Sequence, residues 1–353
     1  MLALSAKVLL GMSGGVDSSV AAYVLQEQGF EVIGATLRLW IQEDAPDAGG
    51  CCSLSSVEDA RFVAQRLGMP HYVLNYKEIF RQHVVEYFIA EYKAGRTPNP
   101  CIACNSRVRF TQFLEQARSL GCDYIATGHY ARVEHVPQGT RLRKSVDSRK
   151  DQTYMLFRMT ETQLSHTLFP LGGMTKPEVR KLAAKLDLVV AEKPDSQEIC
   201  FVQNDDYKGF LRSEGALDAP GAIVNSLGIV LGQHRGIFDY TIGQRKGLGL
   251  TSPTPLYVLE IDAKGNRIVV GPGEELFRHR VEISELHFLE RPEPDEDLTG
   301  KARYTTADQP CRVSFLGNDR AVVSFAEPVR APTPGQSLVL YKGDLVVGGG
   351  TIV

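Results

Sequence analysis

The sequence predicts an α/β protein: a doubly wound parallel sheet, then a small, mostly β central domain, then a C-terminal β-barrel-like domain. Three observations carry this. Short apolar runs alternate with helix-length segments from residue 7 to residue 127, the pattern of strands joined by helical crossovers. A Ser13-Gly14-Gly15 turn separates the first run from the first helical segment, the place where open α/β sheets bind ligands. Beyond residue 205 the pattern becomes short apolar alternations broken by Gly, Asn or Asp, which read as hairpins and mostly antiparallel β structure.

In chain order, 7–12 (KVLLGM) is the first strand, 17–28 the first helix and 31–37 (EVIGATL) the second strand. Residues 56–67 suit a helix stopped by Gly68. A strand at 71–74, a helix at 77–93, a Pro-rich loop, a helix at 105–120 and a strand at 123–127 (DYIAT) follow. The segments GAIVNSLGIVLG, LYVLEIDAKGNRIVVG, CRVSFLGNDRAVVSF and QSLVLYKGDLVVGGGTIV supply the hairpins, with acidic 290–299 as a connection between β units. The expected domains are 1–210, 211–280 and 281–353, and 175–187 is a helix that can pack on the middle one.

Apolar residues make up 43% and charged residues 23% of the 353, which excludes a disordered or collagen-like chain. This length implies two or three domains. The net charge of -3 gives no long-range attraction to nucleic acid, so any attraction must be local. Residues 93–118 hold five basic groups and one acidic, and 132–158 seven and three. Such patches can engage phosphates, and each also suits a solvated face. The start MLALSAKVLLGMSGG lacks a cleavage-site pattern, and no apolar run approaches membrane-spanning length. A cytoplasmic protein is therefore expected. Seven cysteines, an odd number, argue for a reducing compartment in which some thiols serve chemistry or metal.

The strongest local signal is Ser13-Gly14-Gly15-Val16-Asp17-Ser18-Ser19. Adjacent glycines allow a tight turn with inward N–H groups. The hydroxyls of Ser13, Ser18 and Ser19 and the following helix N-terminus add donors for phosphate. Asp17 would repel phosphate unless a cation stood between them, which makes it a candidate for placing Mg²⁺. The loop lacks the Lys of a Walker motif and the three-glycine dinucleotide spacing. The alternative is a Ser/Gly turn with a serine cap.

Gly95-Arg96-Thr97-Pro98-Asn99-Pro100-Cys101-Ile102-Ala103-Cys104-Asn105 places Cys104 immediately before a predicted helix. The helix N-terminus, with Arg96 and Arg107, would lower the pKa of that thiol. Cys200 lies in Asp195-Ser196-Gln197-Glu198-Ile199-Cys200-Phe201, and a fold that brought it to Cys104 would allow disulfide exchange. The Cys101–Cys104 pair has three readings: a redox pair, part of a metal site, or two neighbouring thiols. Adjacent Cys51 and Cys52 suit a zinc site poorly. Cys101, Cys104 and Cys200 could supply three thiolates to an iron–sulfur cluster, whereas Cys122 and Cys311 suit packing.

The segments GMSGGVDSS, GRTPNPCIACN, ATGHYAR, KDQTYML, PDSQEICF, TIGQRKGLG and TPGQSLVLYKG stand in the order found in bacterial tRNA-specific 2-thiouridylases. The chain resembles that family over essentially its whole length, and its first loop resembles the wider ATP pyrophosphatase (PP-loop) superfamily, with an adenine nucleotide hydrolase-like sheet. The resemblance implies adenylation of the C2 oxygen of the wobble uridine, U34, in tRNAs for Lys, Glu and Gln, followed by replacement with sulfur. It implies that Gly11, Met12, Ser13, Gly14, Gly15, Val16, Asp17 and Ser18 line the ATP site, with Leu37 and Gly128 near the adenosine. Leu37 stands where relatives commonly have Met. Cys200 would carry sulfur as a persulfide, and Cys104 would be the second catalytic thiol. Asn99, Pro100 and Cys101 would border the target base, the last where the family often has Asp.

His129, Lys150, Asp151 and Gln152 are similar to positions near tRNA, as are Arg303, Tyr304 and Gln336 in the last domain. Taken alone, His129 reads equally as a structural histidine. Some relatives are proposed to hold a [4Fe–4S] cluster, for which Cys101, Cys104 and Cys200 are the ligands here. The implied partners are tRNA and a cysteine desulfurase or sulfur-relay protein, with ATP and Mg²⁺ as cosubstrate. A monomer suffices for the chemistry.

Overall fold

The structure, a computed structural model, describes residues 5–40, 54–195, 199–216, 219–294 and 296–353. Cys51 and Cys52, and Ser196, Gln197 and Glu198 of the second cysteine motif, lie outside the described residues. The chain forms two compact units. The first comprises Met1–Val84, Cys101–Asp205 and Asp344–Val346, and the second Val85–Pro100, Asp206–Gly343 and Val347–Val353.

The first unit is built on β1 (Lys7–Gly11), β2 (Glu31–Arg38), β3 (His71–Asn75), β4 (Tyr124–Thr127) and, after the hairpin β5 (Ala131–Val136) and β6 (Gly139–Lys144), β7 (Thr167–Leu168). The five-stranded sheet runs β3-β2-β1-β4-β7, and its four strand pairs are all parallel. Val8, Leu9 and Leu10 of β1 are fully buried, as expected of a central strand covered on both faces. The order reverses between β1 and β4, so a ligand crevice opens beyond their carboxyl ends.

Helix α1 (Val16–Glu27) lays Val20, Ala21 and Leu25 on Val8 and Leu10, and α2 (Leu54–Arg66) adds Ala60 and Val63. The helix Lys176–Lys185 buries Val179 and Ala183 in the same core. Its apolar stripe therefore packs with α1 instead of with the middle segment that the sequence left open. Thr175 and Glu178 form a capping box at its start, with Pro in the first turn.

Two helical stretches are longer or less regular than expected. Residues 77–93 are one helix with a π turn at Arg81–Val85. The 105–120 prediction is corrected: the helix runs over 100–119, with a π segment at Cys104–Arg109. Cys104 therefore lies inside a helix, and the helix N-terminus falls at Pro100 and Cys101.

The β5–β6 hairpin was not anticipated. It occupies part of the basic 132–158 tract, where Arg132 and Arg143 pair with Asp344, and Arg143 also with Glu134.

The second unit holds a four-stranded sheet, β10-β11-β8-β9, of β8 (Gly221–Asn225), β9 (Val230–His234), β10 (Tyr257–Asp262) and β11 (Arg267–Gly271). Its β8–β11 pair is parallel, unlike the hairpins on either side of it. The remaining strands are β12 (Phe277–Phe288), β13 (Leu298–Lys301), β14 (Gln309–Phe315), β15 (Arg320–Arg330), β16 (Ser337–Lys342) and β17 (Leu345–Ile352). They run β12-β15-β14-β13-β16-β17 and close through a β12–β17 pairing, so this barrel has no free edge. Val281, Ile283, Val313, Val323, Phe325, Leu338 and Leu340 fill it. The acidic 290–299 segment joins two strands of this barrel, not two domains.

The Thr175 cap is separable from the rest. Replacing Thr175 with Ala is expected to destabilise the first unit by about 1 kcal/mol, read as a lower denaturation midpoint in urea with an unchanged slope.

Candidate active site

The loop after β1 turns at Gly14, whose φ of 68° lies in the left-handed region. A Cβ there would stand 2.1 Å from the Ser56 carbonyl oxygen. Only glycine meets both conditions. Gly15 is extended, with φ at -104°, and caps α1 without a side-chain bond. That leaves first-turn N–H groups for an anion. The hydroxyls divide differently from expectation. Ser13 is exposed beside the loop. Ser18 accepts from the Ser13 N–H and donates to the Gly15 carbonyl, at 3.2 and 3.1 Å. Ser19 is fully buried and donates to the same carbonyl at 2.9 Å, so its hydroxyl serves the turn and does not face a phosphate. Gly128, after β4, lies against α1: a Cβ there would be 2.8 Å from the Ser18 nitrogen.

Asp17 is already matched by a cation. Lys176 Nζ lies 2.7 and 2.8 Å from its two carboxylate oxygens, and the Tyr130 hydroxyl donates to it at 2.8 Å. Burial, reinforced by Asp17, pushes the Tyr130 phenol well up, so it stays a donor. Lys176 also bonds Asp195 at 2.8 Å, and Asp195 takes Lys150 at 2.7 Å and Arg180 at 3.0 Å. Burial raises the Asp195 carboxyl, but the bonds from Lys150 and Lys176 outweigh it and hold the group down to about 2. Lys193 reaches the Gly14 carbonyl at 3.0 Å and Asp59 at 2.7 Å.

Beyond the loop a cleft of about 390 Å³ is lined by Gly11, Met12, Ser13, Leu37, Arg109 and Thr127, with Leu39 and Phe113. Arg109 and Phe113 belong to the 100–119 helix that carries Cys101 and Cys104. Arg109 therefore links the cleft to the thiols. Cys101 is open to solvent at its surface, yet the protein around it pushes its thiol up to about 11, with Cys104 adding to and Arg109 opposing the effect. Cys104 is buried, 7% exposed, and Cys200 is exposed. The following residue, Phe201, is buried against Phe80 and Trp40, at 5.7 and 6.1 Å between ring centres. The five described cysteines are all free. Among the described residues no three His, Cys, Asp or Glu side chains gather to hold a metal ion. Cys101, Cys104 and Cys200 are thus not gathered as a three-thiolate set among the described residues.

His129 shares a 2.8 Å hydrogen bond with Thr127 and packs between Phe110 and Phe169. Burial, then Arg109, lowers its pKa to about 3, so at neutral pH it is uncharged. Asp151 is buried and accepts from Ser145 N–H and the Thr153 hydroxyl. Gln152 accepts from the Tyr130 N–H. In the second unit, Arg96 is bound by Glu91. Gln336 Nε2 donates to the Thr97 carbonyl at 3.0 Å, steadying the loop that holds Asn99 and Pro100. Arg303 spends one nitrogen on the carbonyls of Ile242 and Ala331 and on Thr333. The Tyr304 ring lies 5.4 Å from Lys301 Nζ.

Comparison with known proteins extends this picture. Residues 6–204 match the family model described as tRNA methyl transferase HUP domain, 208–272 its PRC-barrel domain, and 278–352 the aminomethyltransferase beta-barrel domain. The chain is 51% identical to a tRNA-specific 2-thiouridylase MnmA of Symbiobacterium thermophilum, over 98% of this chain and 92% of that one. It is 48% identical to that of Clostridioides difficile, over 99% and 98%. It is 50% identical to one of Caldanaerobacter subterraneus, over 98% and 97%.

The raised Cys101 thiol has a measurable consequence. A pKa near 11 in place of 9.0 cuts the thiolate fraction at pH 8 by about 100-fold. Iodoacetamide labelling of Cys101, followed by peptide mass, should accelerate until about pH 11, whereas the unfolded chain should level off near pH 9. Levelling near pH 9 in the folded protein would show that its surroundings do not hold the proton.

Proposed function

The chain belongs to the tRNA-specific 2-thiouridylase family, and we propose that it performs ATP-dependent 2-thiolation of the wobble uridine U34, with tRNAs for Lys, Glu and Gln as substrates. The observation that carries the assignment of roles is the 100–119 helix, which gives Arg109 and Phe113 to the nucleotide cleft and bears Cys101 and Cys104.

The C2 oxygen of uridine is a poor leaving group. ATP, entering with its Mg²⁺, lies along Gly11 to Ser18, with adenosine toward Leu37 and Gly128. Loop N–H groups stabilise charge that develops at the α phosphate. The C2 oxygen attacks that phosphorus, pyrophosphate departs, and the oxygen becomes an AMP ester. Cys200, exposed, suits loading as a persulfide by a cysteine desulfurase or a sulfur-relay protein. Cys104, buried, suits attack away from water. Its thiolate displaces hydrosulfide from the Cys200 persulfide, forming a Cys104–Cys200 disulfide. Hydrosulfide adds to C2, the C–O bond breaks and AMP leaves; an external thiol then reduces the disulfide. Asn99, Pro100 and Cys101 border the base, with Cys101 a neutral thiol. Neutral His129 would serve as a hydrogen-bond partner for tRNA, not a cation for its phosphates, and Lys150, Asp151 and Gln152 in the first unit and Tyr304 in the second are assigned to tRNA by the family resemblance. Arg303 and Gln336 act by holding their loops.

The test supplies purified protein with ATP, Mg²⁺, a persulfide donor and unmodified tRNA, and reads 2-thiouridine by nucleoside mass. Turnover without RNA would point to amidation of a small metabolite, and absence of pyrophosphate release to an RNA-binding protein. Cys200→Ser should lower thiolation by at least about 100-fold while tRNA-dependent pyrophosphate release continues. Normal thiolation by that variant would remove Cys200 as the sulfur carrier.

A further inference from the structure

The segment 241–249 (TIGQRKGLG) takes no part in the nucleotide site and lies in the second unit. Apolar anchors and hydrogen bonds hold it in place. Gly243, Gly247 and Gly249 have φ of 87°, 76° and 67°, a left-handed path that side-chain-bearing residues rarely follow. Ile242 and Leu248 anchor it in the core with Ile223, Val258 and Val270. The Gly243 N–H donates to the Val258 carbonyl at 2.8 Å, and the Val258 N–H returns a bond to Gln244 at 3.0 Å. The Gln244 side chain accepts from the Thr241 N–H and donates to the Lys246 carbonyl, at 3.1 and 3.0 Å. Arg303 fastens the Ile242 carbonyl from below.

What this scaffold presents is Arg245 and Lys246, both exposed. Beside it stands Arg330, whose Nη1 lies 3.8 Å from where a Cβ on Gly243 would be, with its guanidinium over the Tyr257 ring at 5.5 Å. The cross-strand neighbour of Arg330 is Phe277, 44% exposed. None of Arg245, Lys246 and Arg330 forms an ion pair among the described residues. No ion pair among those residues offsets these three charges, and the contact of Arg330 is the Tyr257 ring. A ligand with repeated negative charge would supply the counter-charge, and a loop already held by these bonds loses little entropy on binding it.

We propose that the 243–249 loop, with Arg330 and Phe277, is a docking site for the phosphate backbone of the tRNA substrate. This rests on the thiouridylase reading. Cations on a rigid scaffold take phosphates, and an exposed aromatic beside them offers a stacking face that RNA uses and an acidic protein surface does not require.

The experiment compares wild-type protein with Arg245→Gln/Lys246→Gln and with Arg330→Gln, all at exposed positions outside the nucleotide site. Fluorescence anisotropy with unmodified tRNA over a salt series should show about tenfold weaker binding for the double variant, and a log–log salt slope shallower by about 2. Arg330→Gln should reduce the slope by about 1. In turnover the loss should fall on KM for tRNA, not on KM for ATP. Unchanged tRNA affinity and slope in both variants would overturn the proposal. So would a defect seen only with a protein sulfur donor and absent with a small persulfide, which would make the loop a protein-docking site. Failure of the thiouridylase reading shows separately, as absence of 2-thiouridine from the wild-type reaction, while anisotropy still reads the loop.

Discussion

The ammonium of Lys176 is the interaction on which the first unit's site depends. Its side chain is 9% exposed and touches two carboxylates, Asp17 and Asp195. A charge so nearly removed from water persists only when it is paired and hydrogen-bonded, and each carboxylate has further donors. Asp17 opens α1 beside the Gly14 turn. Asp195 begins the motif that carries Cys200 and also binds Lys150. One ionic chain thus joins the Gly14 loop to the 150–152 tract and to the start of the Cys200 motif. Neutralising any member would leave a charged neighbour short of a partner, so these parts cannot be rearranged independently without cost.

Helix geometry sets the second constraint. In a regular α-helix Arg109 would point about 140° away from Cys104, five residues earlier. The π segment at Cys104–Arg109 closes hydrogen bonds five residues apart and narrows that offset. It allows one helix to turn Arg109 into the cleft while that residue's charge still acts on Cys101 and His129. Widened turns of this kind recur at functional sites. Here the consequence is electrostatic: one guanidinium favours a thiolate at Cys101 and opposes a proton on His129, and burial outweighs it at the first and acts with it at the second.

Much of this was legible in the sequence, because it depends on local pattern. The order of strands and helices in the first unit follows from apolar runs and their spacing, and the turn after the first strand from Gly14 and its serines. What was not legible depends on distance along the chain. Tyr130, Lys176 and Lys193 lie far from Asp17 and Gly14 in sequence and follow no spacing rule. Arg109 appeared only as one charge in a basic tract. The position of Cys104 within a helix was missed because two prolines marked a loop, although Pro100 serves as a helix start. The parallel β8–β11 pair and the closing β12–β17 pair are equally non-local, and hairpin signals say nothing of them. Gly15 shows the reverse case, a glycine that looked necessary for the turn yet takes an extended conformation open to other residues.

Local charge shows most clearly why residue counts and physical availability differ. The 132–158 tract has seven basic residues, but Arg132 and Arg143 are held by Asp344 and Lys150 by Asp195. In the second unit the guanidinium of Arg303 is committed to backbone carbonyls. A cation already matched by an acid adds little field at a distance and must break a bond before it can bind phosphate. In a chain with net charge -3, attraction to RNA therefore depends on cations whose internal partners are missing, not on how many are present. Arg245, Lys246 and Arg330, which form no ion pair among the described residues, meet that condition.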